Sequence, residues 1–209
     1  MDNHSVRKPI FAKATIHLKK NDDILAKIID KIGICTLNPK SQSPFKVLVS
    51  NIISQQLSAK AAKTIKNWLS QIANNGESIN PKRILSLPEK KMRGVGISAN
   101  KVGFIKKLAK SIYSEKLQLE KLKHEKNQKV IDILIRHPGI GQWTAEMFLI
   151  FSLGRLDVLS ISDVGLRRAA KMAYGLNSNP SDSEFLDLGK PWIPYRTIAS
   201  WYLWRTLDK

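Results

Sequence analysis

The stretch Leu134–Lys171, LIRHPGIGQWTAEMFLIFSLGRLDVLSISDVGLRRAAK, reads as helix, glycine hairpin, helix, loop, and a third helix that opens at an aspartate. Leu134 and Ile135 close one helical pattern. Pro138 and the Gly139-Ile140-Gly141 turn break it, because proline stops the hydrogen-bond ladder and glycine tolerates the positive φ of a tight turn. The next helix opens at about Gln142. Its first amides have no intrahelical acceptor, and two adjacent glycines let the backbone come close to a ligand. Together they make a phosphate cradle that needs no charged side chain. A plain αα-hairpin with a glycine turn has the same spacing, and spacing alone leaves both readings open. Further on, Ser160-x-x-Asp163 has the form of a capping box at the third helix.

Working outward, the chain has 209 residues, enough for one or two domains with a buried core. Its hydrophobic fraction of 43% is ordinary, but 35 Lys+Arg against 17 Asp+Glu gives a formal charge of +18. Such a surface attracts polyanions, nucleic acid first, with a merely adhesive basic protein as the plainer alternative. Cys35 is the one cysteine, which excludes a disulfide framework, a zinc ribbon and a four-cysteine iron–sulfur cluster. No run reaches the roughly 18 apolar residues of a membrane span, and the N-terminus lacks a signal-peptide core, so an intracellular protein is expected.

Residues 1–20 are polar and basic with no clear period and read as an N-terminal arm, leaving one domain over 21–209. Asn21-Asp22-Asp23 signals a helix start before Ile24, Leu25, Ile28, Ile29 and Ile32; Gly33 suits its cap, and Cys35 its core. Ser43-Pro44 opens a helix with Phe45, Leu48, Val49, Ile52 and Ile53 on one face. Gln55-Gln56-Leu57-Ser58 interrupts it, and Ser58 caps the helix that resumes. A loop follows over 74–81, then short helices near Ile84 and Glu89. Gly94-Val95-Gly96 is a second glycine turn, either a loop turn or a second phosphate hairpin. The helix after it, through Ile112, buries Val102, Ile105, Leu108 and Ile112 and turns Lys101, Lys106, Lys107 and Lys110 away. From Lys82 to Lys123 there are twelve Lys/Arg and three Asp/Glu, a solvated face of which some lysines are expected to border phosphates. No segment shows sustained two-residue alternation, so the fold class is all-α.

Three stretches, HPGIGQWTAEMFLIFSLGRLDVLSISDVGLRRA (137–169), FKVLVSNIISQQLSAKAAKTI (45–65) and PWIPYRTIASWYLWRTL (191–207), resemble the helix-hairpin-helix DNA glycosylases. The likeness is strongest to their alkylated-base branch, the 3-methyladenine DNA glycosylase II enzymes, and runs from about Phe45 to the C-terminus. It implies the HhH-GPD fold: two helical lobes flanking a cleft, with the helix-hairpin-helix motif at about 129–153. One lobe takes about 43–125 plus the hairpin, and the N-terminal helix joins the residues from about 160 onward. The resemblance also implies a monomer acting on double-stranded DNA that contains a damaged base, with no cofactor for catalysis. Many such enzymes carry an additional N-terminal β-domain, for which twenty residues are too few, so the compact form is expected.

Residue by residue, the resemblance makes Asp163 the catalytic carboxylate. Asp157, the other acid of the loop, is expected to cap or to pair with Arg155, and Arg167 and Arg168 to support. The amides around Gly139, Gly141 and Thr144 become phosphate contacts, and the carbonyls of Ile135, His137 and Ile140 hold a monovalent cation, Na+ or K+; the His137 ring faces solvent. The corner Gln55-Gln56-Leu57 enters the minor groove, where Gln56 or Leu57 fills the gap left by an extruded base. Trp143 stands where relatives that also cut the DNA backbone have a lysine. An indole forms no Schiff base, so hydrolysis of the base–sugar bond alone is expected. Trp143 either packs in the core or lines the base pocket; Trp204 falls on the family's pocket tryptophan, while Trp201 and Tyr202 suit the core. Trp192 and Tyr195 are further aromatics. Ser160 and Ser162 replace a proline and a second aspartate of the family pattern, which leaves the rigidity of this loop open. A related enzyme for a deaminated or oxidised base, and a non-catalytic DNA-binding module, are the alternatives.

Overall fold

The computed structural model describes residues 3–39, 41–73 and 79–207. Among them every regular element is a helix, as the absence of alternation requires; of the loop expected over 74–81, residues 74–78 lie outside the described ones. No helix among the described residues is long and apolar enough to cross a membrane. The chain forms two compact units, one from the segment up to Pro39 together with everything from Gly154 onward, the other from the stretch between.

The first unit begins with α1 (Asn3–Asn21) and α2 (Asp23–Ile32). The arm expected over residues 1–20 is therefore helical from Asn3. It buries Phe11, Ala14 and Leu18 at three- and four-residue spacing. Ile10 and Ile16, exposed on the same helix, blur that period in the sequence.

The second unit is built around α3 (Pro44–Ser54), whose Phe45, Val47, Leu48, Val49, Ile52 and Ile53 are all buried. It packs against α4 (Ala59–Ala73), against α7 (Ala99–Tyr113), which follows the short α5 (Pro81–Ser86) and α6 (Glu89–Gly94), and against a later helix of the hairpin. Ser43, Asn80 and Ser98 accept backbone amides at the starts of α3, α5 and α7, each such cap stabilising its helix by about 1 kcal/mol. Two lysines that the sequence assigned to a solvated, phosphate-bordering face are used inside the unit. Lys101 Nζ donates to the carbonyls of Ile53 (2.9 Å) and Gln55 (2.6 Å), and Lys106 Nζ to those of Leu85 (3.2 Å) and Leu87 (2.7 Å). Each satisfies carbonyls left over at a helix C-terminus. Burial holds the Lys101 ammonium below its ordinary pKa. Lys107 and Lys110 remain exposed. A 3-10 turn (Leu119–His124) then leads to α8 (Asn127–Leu134) and α9 (Gln142–Phe148), which runs on into a π-helical turn, Leu149–Leu153.

The chain returns to the first unit with α10 (Val164–Tyr174), α11 (Asp182–Leu188), a 3-10 turn (Lys190–Trp192) and α12 (Arg196–Arg205). Asp22 ties these pieces together. Its Oδ1 caps α2 by accepting the amides of Ile24 (3.0 Å) and Leu25 (2.9 Å), and its Oδ2 accepts from Trp192 Nε1 (2.8 Å) and the Tyr174 hydroxyl (2.5 Å). Trp192 is thus a fully buried core residue and leaves the set of aromatics available to a substrate. Burial, and then Asp22, push the Tyr174 phenol well above its ordinary range. Tyr202, also fully buried, donates to the carbonyl of Gly33 (2.9 Å), and Trp201 packs edge-on against it.

Cys35 is buried in this unit, and burial pushes its thiol up to about 11. The native protein is accordingly expected to react slowly with a disulfide reagent at neutral pH and to release one thiol on unfolding. The unfolded thiol ionises near its ordinary value of about 8.5 and the folded one does not, so this group's contribution to stability is complete below pH 8.5 or so and is lost as pH rises towards 11. Melting curves of wild type and Cys35→Ala across that window check the slope, which the variant should lack.

Candidate functional site

The residues expected to form the site fall into two groups, one in each unit. In the second unit α8 ends at Leu134, and the chain turns through hydrogen bonds from His137 N to Leu134 O (3.0 Å) and from Ile140 N to His137 O (3.1 Å). Gly139 sits in the left-handed region at φ +85, and a Cβ there would lie 2.4 Å from Phe104 Cδ2, so both conformation and space demand glycine. Gly141 is the N-cap of α9 at φ −96, with nothing within 4 Å of its would-be Cβ. Neither reason for glycine holds at Gly141; its exposed, open position fits close approach from outside. The first bond of α9 runs from Ala145 N to Gly141 O (3.1 Å), which leaves the preceding amides to point out of the helix start. His137 is half-buried rather than solvent-facing, and desolvation holds its imidazole below the ordinary value.

The corner after α3 is joined to this hairpin by one side chain. Gln55 Nε2 donates to Gly139 O (2.8 Å) and to Thr144 Oγ1 (2.9 Å). Thr144 is buried, and its hydroxyl oxygen accepts from Gln55. Gln56 adopts φ +57, unusual for a residue with a side chain, and is exposed; Leu57 is 40% exposed. Gln55 is therefore a strut, and Gln56 and Leu57 form the tip. Trp143 is half-buried on the first turn of α9.

In the first unit Asp163, rather than Ser160, is the N-cap of α10. Its Oδ1 accepts the Leu166 amide at 2.6 Å and the Trp204 indole N–H at 3.3 Å. Asp163 as a whole is 9% exposed, and a Cβ on Gly165 would come within 3.2 Å of the same oxygen. The loop before it is held from α12. Arg196 forks both oxygens of Asp157, Nε at 2.6 Å and Nη2 at 2.9 Å, so Asp157 pairs with Arg196 and not with Arg155. The Thr197 hydroxyl donates to Arg155 O (2.9 Å) and accepts from Val158 N (3.0 Å). Arg167 closes the other side, donating to the carbonyls of Ile161 (2.5 Å) and Pro180 (2.5 Å) and to Asp182. Rigidity left open by Ser160 is thus supplied by Arg196, Thr197 and Arg167, while Arg168 is exposed. Nothing in local periodicity pointed to Arg196 or Thr197, because their partners stand 39 to 42 residues away.

The family model described as HhH-GPD superfamily base excision DNA repair protein matches residues 49–194. The chain belongs to this superfamily. As an HhH-GPD protein it is 34% identical, over 201 residues and 93% of each chain, to the alkylbase DNA glycosidase-like protein mag2 of Schizosaccharomyces pombe. To the DNA-3-methyladenine glycosylase 1 of the same yeast it is 34% identical over 197 residues, 93% of this chain and 86% of that one. Its structure is similar to that of the S. pombe 3-methyladenine DNA glycosylase Mag1 in complex with abasic DNA, with a TM-score of 0.88 and 33% identity over 94% of this chain and 97% of that chain. Among the described residues no three His, Cys, Asp or Glu side chains gather where they would hold a metal ion.

Proposed function

We propose that this HhH-GPD protein is a monofunctional DNA glycosylase, acting as an intracellular monomer, that hydrolyses the N-glycosidic bond of alkylated purines such as 3-methyladenine in double-stranded DNA. The observation that carries this reading is Asp163: a carboxylate, almost withdrawn from solvent, fixed at a helix start and braced by an indole N–H. The names borne by the relatives of similar length point the same way.

In the reaction the bond from the sugar C1′ to the base nitrogen breaks, and its electron pair leaves with the base. A purine alkylated on a ring nitrogen is cationic and so departs neutral, which removes the need for a general acid. Water supplies oxygen to C1′ and gives up a proton to Asp163 or to solvent. Between these events the sugar is cation-like, and the Asp163 carboxylate stabilises it. Trp204 and Trp143 are the aromatic faces assigned to the flipped base, by stacking and cation–π attraction of about 0.5 to 2 kcal/mol each. Gln56 and Leu57 enter the minor groove, with Gln55 holding their corner to the hairpin. The amides around Gly139, Gly141 and Thr144 take a phosphate. The carbonyls of Ile135, His137 and Ile140 would hold Na+ or K+, which supplies positive charge beside that phosphate when bound.

The test is base release from methylated duplex DNA, resolving 3-methyladenine from 7-methylguanine, followed by borohydride treatment. Free 3-methyladenine, an intact strand and no borohydride-trapped adduct are expected, because Trp143 occupies the lysine position and offers no amine. Tight, salt-sensitive duplex binding with no base released from any lesion would leave a DNA-binding module instead.

A further inference from the structure

We infer that Trp204 is a positioning residue for Asp163, acting through its indole N–H as well as offering a ring; this rests on the glycosylase reading above. Two donors converge on one oxygen: the indole N–H at 3.3 Å and the Leu166 amide at 2.6 Å both meet Oδ1. The start of α10 crowds that oxygen from behind, since even a methyl group on Gly165 would sit 3.2 Å from it. Trp204 is held in place by the helix that holds the loop. It lies seven residues, about two turns, beyond Thr197, so both project from one face of α12. Thr197 bonds the loop at Arg155 and Val158, and its neighbour Arg196 grips Asp157. One face of α12 thus sets the path of the loop and the orientation of the carboxylate at its end. A charge that stabilises a transient cation is most effective when it is aligned beforehand and does not reorganise during the reaction. A phenylalanine ring would still stack on a base, though more weakly than an indole, and could not hold the carboxylate.

Trp204→Phe is therefore the informative variant. Single-turnover base release should fall about ten- to a hundredfold, the effect of losing a hydrogen bond to a charged group. Affinity for abasic-site duplex should stay within about twofold of wild type. In an Asp163→Asn background the same substitution should change the residual rate no further, because the interaction it removes is already spoiled. A Trp204→Phe enzyme with the wild-type rate, or a loss that multiplies in full with that of Asp163→Asn, overturns the assignment. NMR decides it independently of turnover: the Trp204 indole N–H resonance, identified by its loss in Trp204→Phe, should move in Asp163→Asn as its acceptor loses its charge. A resonance that stays put overturns the bond even in an active enzyme. A moved resonance in a protein that releases no base upholds the bond and sinks the glycosylase reading alone.

Discussion

Asp163→Asn is expected to lower single-turnover release of 3-methyladenine by about a thousandfold while leaving the melting temperature within a few degrees of wild type. The two halves of that expectation follow from the two jobs of one side chain. As the N-cap of α10, Asp163 accepts the Leu166 amide, and asparagine caps about as well through its own side-chain oxygen. As the charge proposed to face a cation-like sugar it has no substitute in an amide, which is neutral and takes no proton from water. Asp163→Ala separates the two: it should lose the same rate and also about 1 kcal/mol of stability with the cap. Thermal melts and single-turnover assays on the three proteins check this. An asparagine variant within tenfold of the wild-type rate would reduce Asp163 to a structural cap.

Features set by local spacing were legible in the sequence: the helix starts at Asp22, Ser43, Ser58 and Ser98, the hairpin at Gly139–Gly141, and the aspartate opening α10. A cap or a glycine turn is decided within a few residues, and a few residues are what a sequence displays. Features set by partners far along the chain were not. The Asp157 carboxylate has Arg155 two residues away and Arg196 thirty-nine away, and geometry chose the distant one. Lys101 and Lys106 look like two more members of a basic face until carbonyls at the ends of other helices are seen to take their ammonium groups. Gln55 belongs with them, since its amide answers to Gly139 and Thr144, which stand 84 and 89 residues away. The helical α1 was hidden for a different reason: apolar residues on more than one side erase the period by which an amphipathic helix is recognised.

The two hairpin glycines look alike in sequence and are expected to behave differently when each is given a methyl group. Gly139→Ala must hold φ near +85 and place its Cβ 2.4 to 2.6 Å from the Cδ2, Cγ and Cβ atoms of Phe104. Those Phe104 atoms are near its backbone, so a rotamer change does not clear the clash. Strain and overpacking together should cost roughly 2–4 kcal/mol, a fall of about ten degrees in melting temperature. The carbonyl that Gln55 grips belongs to the same residue, so the corner carrying Gln56 and Leu57 should loosen too. Gly141→Ala meets none of this. Its φ of −96 suits any residue and its Cβ would enter open space, so only the N-cap preference for glycine over alanine, roughly 0.5–1 kcal/mol, should be lost. If the amides at the start of α9 take a phosphate, however, that open space is where the phosphate comes in, and a methyl there should weaken binding of an abasic duplex by about tenfold with the salt dependence retained. Melting curves and fluorescence anisotropy at two salt concentrations distinguish the pair. Wild-type affinity in a folded Gly141→Ala protein would mean that the cradle lies elsewhere on the hairpin.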